Sequence, residues 1–103
     1  MPFNAALTLE QDRAIIQLTG ELDAAAATEF HDKVEQAIHA NVRLLEFQAH
    51  DLTYMSSAGL RSLLFARQKM GDKGMITFVG ASEMVAYTIR LTGLDLSIGM
   101  SDS

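Results

Sequence analysis

From Ala5 to Glu10 apolar and polar positions alternate, with Leu7 and Leu9 on one side and Thr8 and Glu10 on the other. That period of two predicts a half-exposed strand, placed at a sheet edge. Arg13 to Thr19 carries Ile15, Ile16 and Leu18, apolar on both faces, and Gly20 is expected to end the run. The period then lengthens. Ala27, Phe30, Val34, Ala37 and Ile38 recur at helical spacing, while Glu29, His31, Asp32, Lys33, Glu35 and His39 fill the opposite side. Asp23 is placed to cap this helix by accepting a backbone N–H, and Asn41 to close it in a left-handed conformation.

Val42 to Phe47 is again apolar on both faces, which predicts a central strand in a sheet covered by helices. His50 to Met55 reads as a loop leading into a second helix, from Ser57 to Met70. Gly71, Asp72 and Gly74 form a turn, and Met75 to Val79 is a further buried strand. Ser82 caps a third helix that runs to Leu91 and is ended by Gly93, while Leu96 and Ile98 suggest a short last strand. The order is ββαβαβαβ. Strands alternating with helices predict an α/β fold with a mixed, mostly parallel sheet packed with helices, and the opening pair of strands adds an antiparallel edge.

With 103 residues, 49% of them hydrophobic, the chain fits one domain spanning 1–103. It contains no cysteine, so no disulfide or thiolate site is open to it. The N-terminus lacks the basic region and apolar run of a signal peptide, and no apolar stretch approaches the roughly 20 residues of a spanning helix. A cytoplasmic protein without membrane insertion is expected. The formal net charge is −5, from 13 acids and 8 scattered bases. Nucleic-acid binders carry a basic face, so an acidic chain of this kind points to protein partners.

The informative stretch runs from Asp51 to Leu60 and includes Ser56 and Ser57 at the start of the second helix, where backbone N–H groups lack intrahelical partners. One of the two serines can serve simply as the cap. On the helical wheel Gly59, Leu60, Leu63, Ala66 and Met70 face the sheet, and Ser57, Arg61, Phe65 and Gln68 face away. Phe65, in line with Ser57 and Arg61, either belongs to a docking surface or packs under a neighbouring loop. A hydrolase triad of Ser57, His50 and Asp51 or Asp23 lacks the G-x-S-x-G elbow. His31 and His39 are too far apart to chelate one metal ion, and Gly71-Asp72-Lys73-Gly74 lacks the spacing of a phosphate loop. No catalytic residue, metal or cofactor is expected.

Three marks carry a resemblance over nearly the whole chain, from Leu7 to Ile98: Gly20-Glu21-Leu22-Asp23, Met55-Ser56-Ser57-Ala58-Gly59-Leu60 and Leu91-Thr92-Gly93-Leu94-Asp95. In order and spacing they resemble the STAS domains of the anti-sigma factor antagonists. In that family the second mark reads aspartate-serine-serine or threonine-glycine-leucine, and the first serine is phosphorylated. Aligned on Gly59-Leu60, that serine is Ser57. Ser56 stands in place of the aspartate and is the less favoured acceptor, and Ala58 replaces the second hydroxyl residue. The resemblance implies a partner switch. The unphosphorylated protein binds an anti-sigma factor that is also a histidine-kinase-like serine kinase, phosphorylation releases it, and a metal-dependent serine phosphatase restores it. Asp23, Ser56, Ser57, Arg61 and Phe65 are the expected partner-binding residues. The alternative is a STAS scaffold subunit of a transport or secretion-regulatory complex that is never phosphorylated.

Overall fold

The structure, a computed structural model, describes residues 2–102. Its elements are β1 (Asn4–Glu10), β2 (Arg13–Leu22), α1 (Ala27–His39), β3 (Leu44–Met55), α2 (Ser57–Met70), β4 (Met75–Val79), α3 (Glu83–Leu91), a 3₁₀ turn (Leu94–Leu96) and β5 (Gly99–Ser101). The sheet runs β1-β2-β3-β4-β5 in chain order. β1 pairs antiparallel with β2, and every other pairing is parallel. The α/β order read from the sequence is therefore the observed one.

The alternation of buried and open positions along the strands shows how the layers lie. On β2 the residues Ala14, Ile16, Leu18 and Leu22 are buried, and on β3 and β4 so are Leu45, Phe47, Ala49, Ile76 and Phe78. The rings of Phe30 on α1, Phe47 on β3 and Phe78 on β4 follow one another at 5.6 and 5.7 Å between centroids, which makes them the spine of the core. On the other sheet face Ile15, Gln17, Leu44, Glu46, Gln48, Thr77 and Val79 are open or half-buried. Helices thus cover one face, although several strands are apolar on both sides. Ile15 and Leu44 are instead shielded laterally by cross-strand neighbours, Ile15 by Thr8 and Glu46, Leu44 by Arg13 and Met75.

β3 departs most from expectation. It starts at Leu44 and runs to Met55, through the segment expected to be a loop. Opposite it, β2 advances from Gln17 to Thr19 while β3 advances from Gln48 to Asp51, and again from Gly20 to Glu21 while β3 moves from Leu52 to Tyr54. Each step places one extra residue on β3. Two bulges turn the burial period from two to three, so that Ala49, Leu52 and Met55 point inward. A loop signature results from a strand whose register slips twice. Gly20, rather than ending β2, lies within it at φ 85°, and its carbonyl accepts the Thr53 hydroxyl at 3.1 Å.

The remaining shifts are smaller. Asp23 does cap, but one turn ahead of the regular helix. Its Oδ1 accepts the Ala26 N–H at 2.8 Å and its carbonyl accepts the Ala27 N–H at 3.1 Å, so Ala26 and not Asp23 is the residue before α1. Asn41 adopts the left-handed conformation at φ 55°. Leu96 belongs to the 3₁₀ turn and not to a strand, and the last strand begins after Ile98. α2 and β4 have the bounds the sequence predicted, and Ser82 caps α3 by accepting the Val85 N–H.

Candidate functional site

The end of β3 delivers Met55 into the core and Ser56 to the first turn of α2. The Ser56 N–H donates to the Leu22 carbonyl at 2.8 Å, which extends the β2–β3 pairing up to the helix. Ser56 has the extended backbone of an N-cap, its Oγ accepts the Gly59 N–H at 3.2 Å, and its carbonyl accepts the Leu60 N–H. The capping serine is therefore Ser56, which is buried. Ser57 is the first helical residue and is exposed, and its hydroxyl makes no hydrogen bond to any described residue. Nothing among the described residues activates it as a nucleophile. The histidine nearest α2 in contacts is His31, which meets Ser62 at 3.2 Å and Glu35 at 2.9 Å.

Ser57 lines a groove of about 320 Å³ together with Leu60, Arg61, Leu64, Thr92 and Leu94. One wall is the outer face of α2 and the other is the turn that follows α3. Arg61 is exposed and, among the described residues, has no hydrogen bond or ion pair. Among the described residues it is the single charged one lining the groove. Helix α2 contains Arg61, Arg67 and Lys69 and no acid. Arg67 is committed elsewhere, its guanidinium donating to the carbonyls of Gly71, Gly74 and Ser97, so it fastens the C-terminal end of α2 to the adjoining loops.

The residues singled out from the sequence separate into three places. Ser56, Ser57 and Arg61 meet at the start of α2. Asp23 follows Leu22 directly and so flanks the Ser56 backbone, but its side chain is bound to the turn before α1 and borders a different depression, shared with Glu21, Ala26 and Glu29. Phe65 is half-buried on the side of α2 that meets α1. Its ring lies 4.5 Å from the His31 ring, with the Lys69 ammonium 5.7 Å above it. The apolar residue that shares the outer face with Ser57 and Arg61 is Leu64, 45% exposed. The wheel carried that signal. At about 100° per residue, Leu64 falls about 20° from Ser57 and Phe65 about 80°.

The three sequence marks converge here. Gly59 of the second mark packs on Leu22 of the first, while Thr92 and Leu94 of the third form the groove wall facing Leu60 and Leu64. Among the described residues no group of three histidine, aspartate or glutamate side chains gathers where a metal ion would be held, and no helix is long and apolar enough to cross a membrane.

The five-stranded mixed sheet with three helices is the fold of the STAS class. Residues 5–99 match the family model described as Mlab, STAS domain, and the chain belongs to the STAS family. An anti-sigma factor antagonist from Mycobacterium paratuberculosis is similar, with TM-score 0.90 at 18% identity over 99% of this chain and 87% of that one. A putative anti-sigma factor antagonist from Thermotoga maritima has TM-score 0.85 at 19% identity over 96% and 86%. The unphosphorylated form of the anti-sigma factor antagonist SpoIIAA has TM-score 0.76 at 22% identity over 99% and 89%. The phosphorylated form of SpoIIAA, a Bacillus cell fate determinant, has TM-score 0.73 at 21% over 96% and 90%.

Proposed function

We propose that the chain acts as one cytoplasmic STAS domain in a partner switch, binding an anti-sigma factor that is also a histidine-kinase-like serine kinase. In this reading the outer face of α2, with Ser57, Arg61 and the groove beside them, meets the kinase. Transfer of the γ-phosphoryl group from the kinase's ATP to the Ser57 oxygen leaves ADP and a proton, and the modified chain departs. A metal-dependent phosphatase returns the hydroxyl by hydrolysis. Catalysis and nucleotide belong to the partners, and this chain contributes the acceptor and the surface.

The observation that carries the reading is the division between the two serines. Ser56 caps the helix, and Ser57 offers an exposed hydroxyl without structural duty at the position of the family's phosphoacceptor. Support comes also from the similarity to SpoIIAA, whose structure is known in unphosphorylated and phosphorylated forms. A phosphate here adds about −1.5 to −2 charge at a helix N-terminus, where it is tolerated, so binding is lost while the fold persists.

The test is incubation with the cognate kinase and ATP followed by mass spectrometry. Phosphate is expected on Ser57, with constitutive binding by Ser57→Ala and weak binding by Ser57→Asp. Phosphate on Ser56 moves the assignment by one residue. Phosphate on neither serine, with binding indifferent to Ser57→Asp, leaves the other reading, a scaffold subunit of a transport or secretion-regulatory complex. That second reading draws on Ser56, which keeps the helix cap but lacks the charge of the family's aspartate.

A further inference from the structure

We infer that Arg61 is the counter-ion of a phosphate on Ser57 and that the pair forms a charged link along the α2 wall of the groove lined by Leu60, Leu64, Thr92 and Leu94. The inference rests on the reading of Ser57 as the modified residue and adds what the modification does to the surface beside it.

Ser57 and Arg61 are one helical turn apart and line the same groove. Residues at i and i+4 have Cβ atoms about 5–6 Å apart, and an anion four residues before a cation is the favourable orientation. Side chains on a helix lean toward its N-terminus, so an arginine at position 61 leans back over position 57. The guanidinium has no competitor. It pairs with nothing among the described residues, α2 holds no acid, and the groove lining holds none. A phosphoserine presents three acceptor oxygens to a planar donor fork, the geometry that arginine matches with two parallel hydrogen bonds. Ser57, Arg61 and Leu64 line the groove from α2, and Thr92 lines it from the other side. A salt link between Ser57 and Arg61 reshapes the α2 wall and takes up the guanidinium, so the phosphate acts by removing a free cation from the surface as well as by repulsion.

The test uses the full chain with phosphoserine encoded genetically at position 57, which needs no kinase. A ³¹P NMR titration is expected to give a phosphate with its second pKa about 0.5 lower than in the same protein carrying Arg61→Gln, with Arg61→Lys in between. Both proteins keep the helix N-terminus, so the difference belongs to Arg61. Methyl resonances of Leu60, Leu64 and Leu94 are expected to shift on phosphorylation in the first protein and to stay in place in Arg61→Gln. Equal titration in the two proteins, or methyl shifts that ignore Arg61, overturns the clasp. A clasp found in the encoded phosphoprotein together with no phosphate from any kinase would leave this geometry standing and remove the partner switch. The converse result would separate them the other way.

Discussion

A methyl group placed on Gly59 would lie 2.9 Å from both Cγ and Cδ2 of Leu22, and 3.3 Å from Cγ of Met55. Leu22 is fully buried among core side chains, so glycine is what lets the first turn of α2 sit directly on the end of β2. Gly59→Ala is expected to destabilise by about 1–3 kcal/mol, the usual range for overpacking a filled core. Urea unfolding reads this as a lower midpoint at unchanged slope. A midpoint equal to that of the parent would mean that Leu22 repacks at no cost and that the close approach is dispensable.

The two adjacent serines should differ in what their removal does. Ser56→Ala deletes the bond accepted from the Gly59 N–H and is expected to cost about 0.5–2 kcal/mol. Ser57→Ala removes an exposed hydroxyl that has no partner among the described residues, and should stay within about 0.5 kcal/mol of the parent. Equal losses in the two variants would contradict the cap assignment.

Asp23 closes the turn before α1 through the Ala26 N–H. Asp23→Ala is expected to lose about 0.5–2 kcal/mol, as caps do. Because the residue follows Leu22, which holds the Ser56 backbone, phosphorylation of Ser57 is expected to slow by more than the stability loss explains. A folded Asp23→Ala protein modified at the parental rate would leave Asp23 with the turn alone.

Leu64 and Phe65 are neighbours with different surroundings, and truncation should divide them. Leu64→Ala, on the outer face, is expected to leave thermal stability nearly unchanged and to weaken kinase binding by about 1–2 kcal/mol, in the range of interface anchors. Phe65→Ala removes the ring from between His31 and Lys69 and is expected to lower the unfolding temperature clearly. If Phe65→Ala weakens binding more than Leu64→Ala does, the partner reaches the α1 side of α2 and the groove is not its main seat.

The bounds of α2 and β4 were legible because each has one undisturbed period between clear breakers: Gly71 to Gly74 separates them, and Gly80 follows. The far half of β3 was not. Bulges opposite Thr19 and Glu21 put two polar residues, His50 and Asp51, then Thr53 and Tyr54, between successive buried ones, and pattern reading takes such a stretch for a loop. The sequence marks Asp23 as a cap, but the alanines at 24–27 suit a turn and a helix equally, and α1 starts three residues beyond the position that a cap at Asp23 implies. At the site, the serine motif was legible as a unit. Which hydroxyl caps was not, since that depends on the Ser56 backbone being held extended by Leu22. The groove was invisible in sequence because its two walls lie about 30 residues apart along the chain and meet only when α3 ends beside α2.

The separate duties of Ser56 and Ser57 bear on how such a chain changes over generations. A hydroxyl that held the helix together could be exchanged only with damage to the domain, and selection for folding would preserve it whatever its signalling value. Ser57 has no such protection, because no described residue depends on its oxygen. If the chain acts as proposed, one codon change at position 57 would therefore silence the switch while leaving the fold and the binding surface intact. On the proposed reading, a lineage could cross from regulated to permanent binding in a single step.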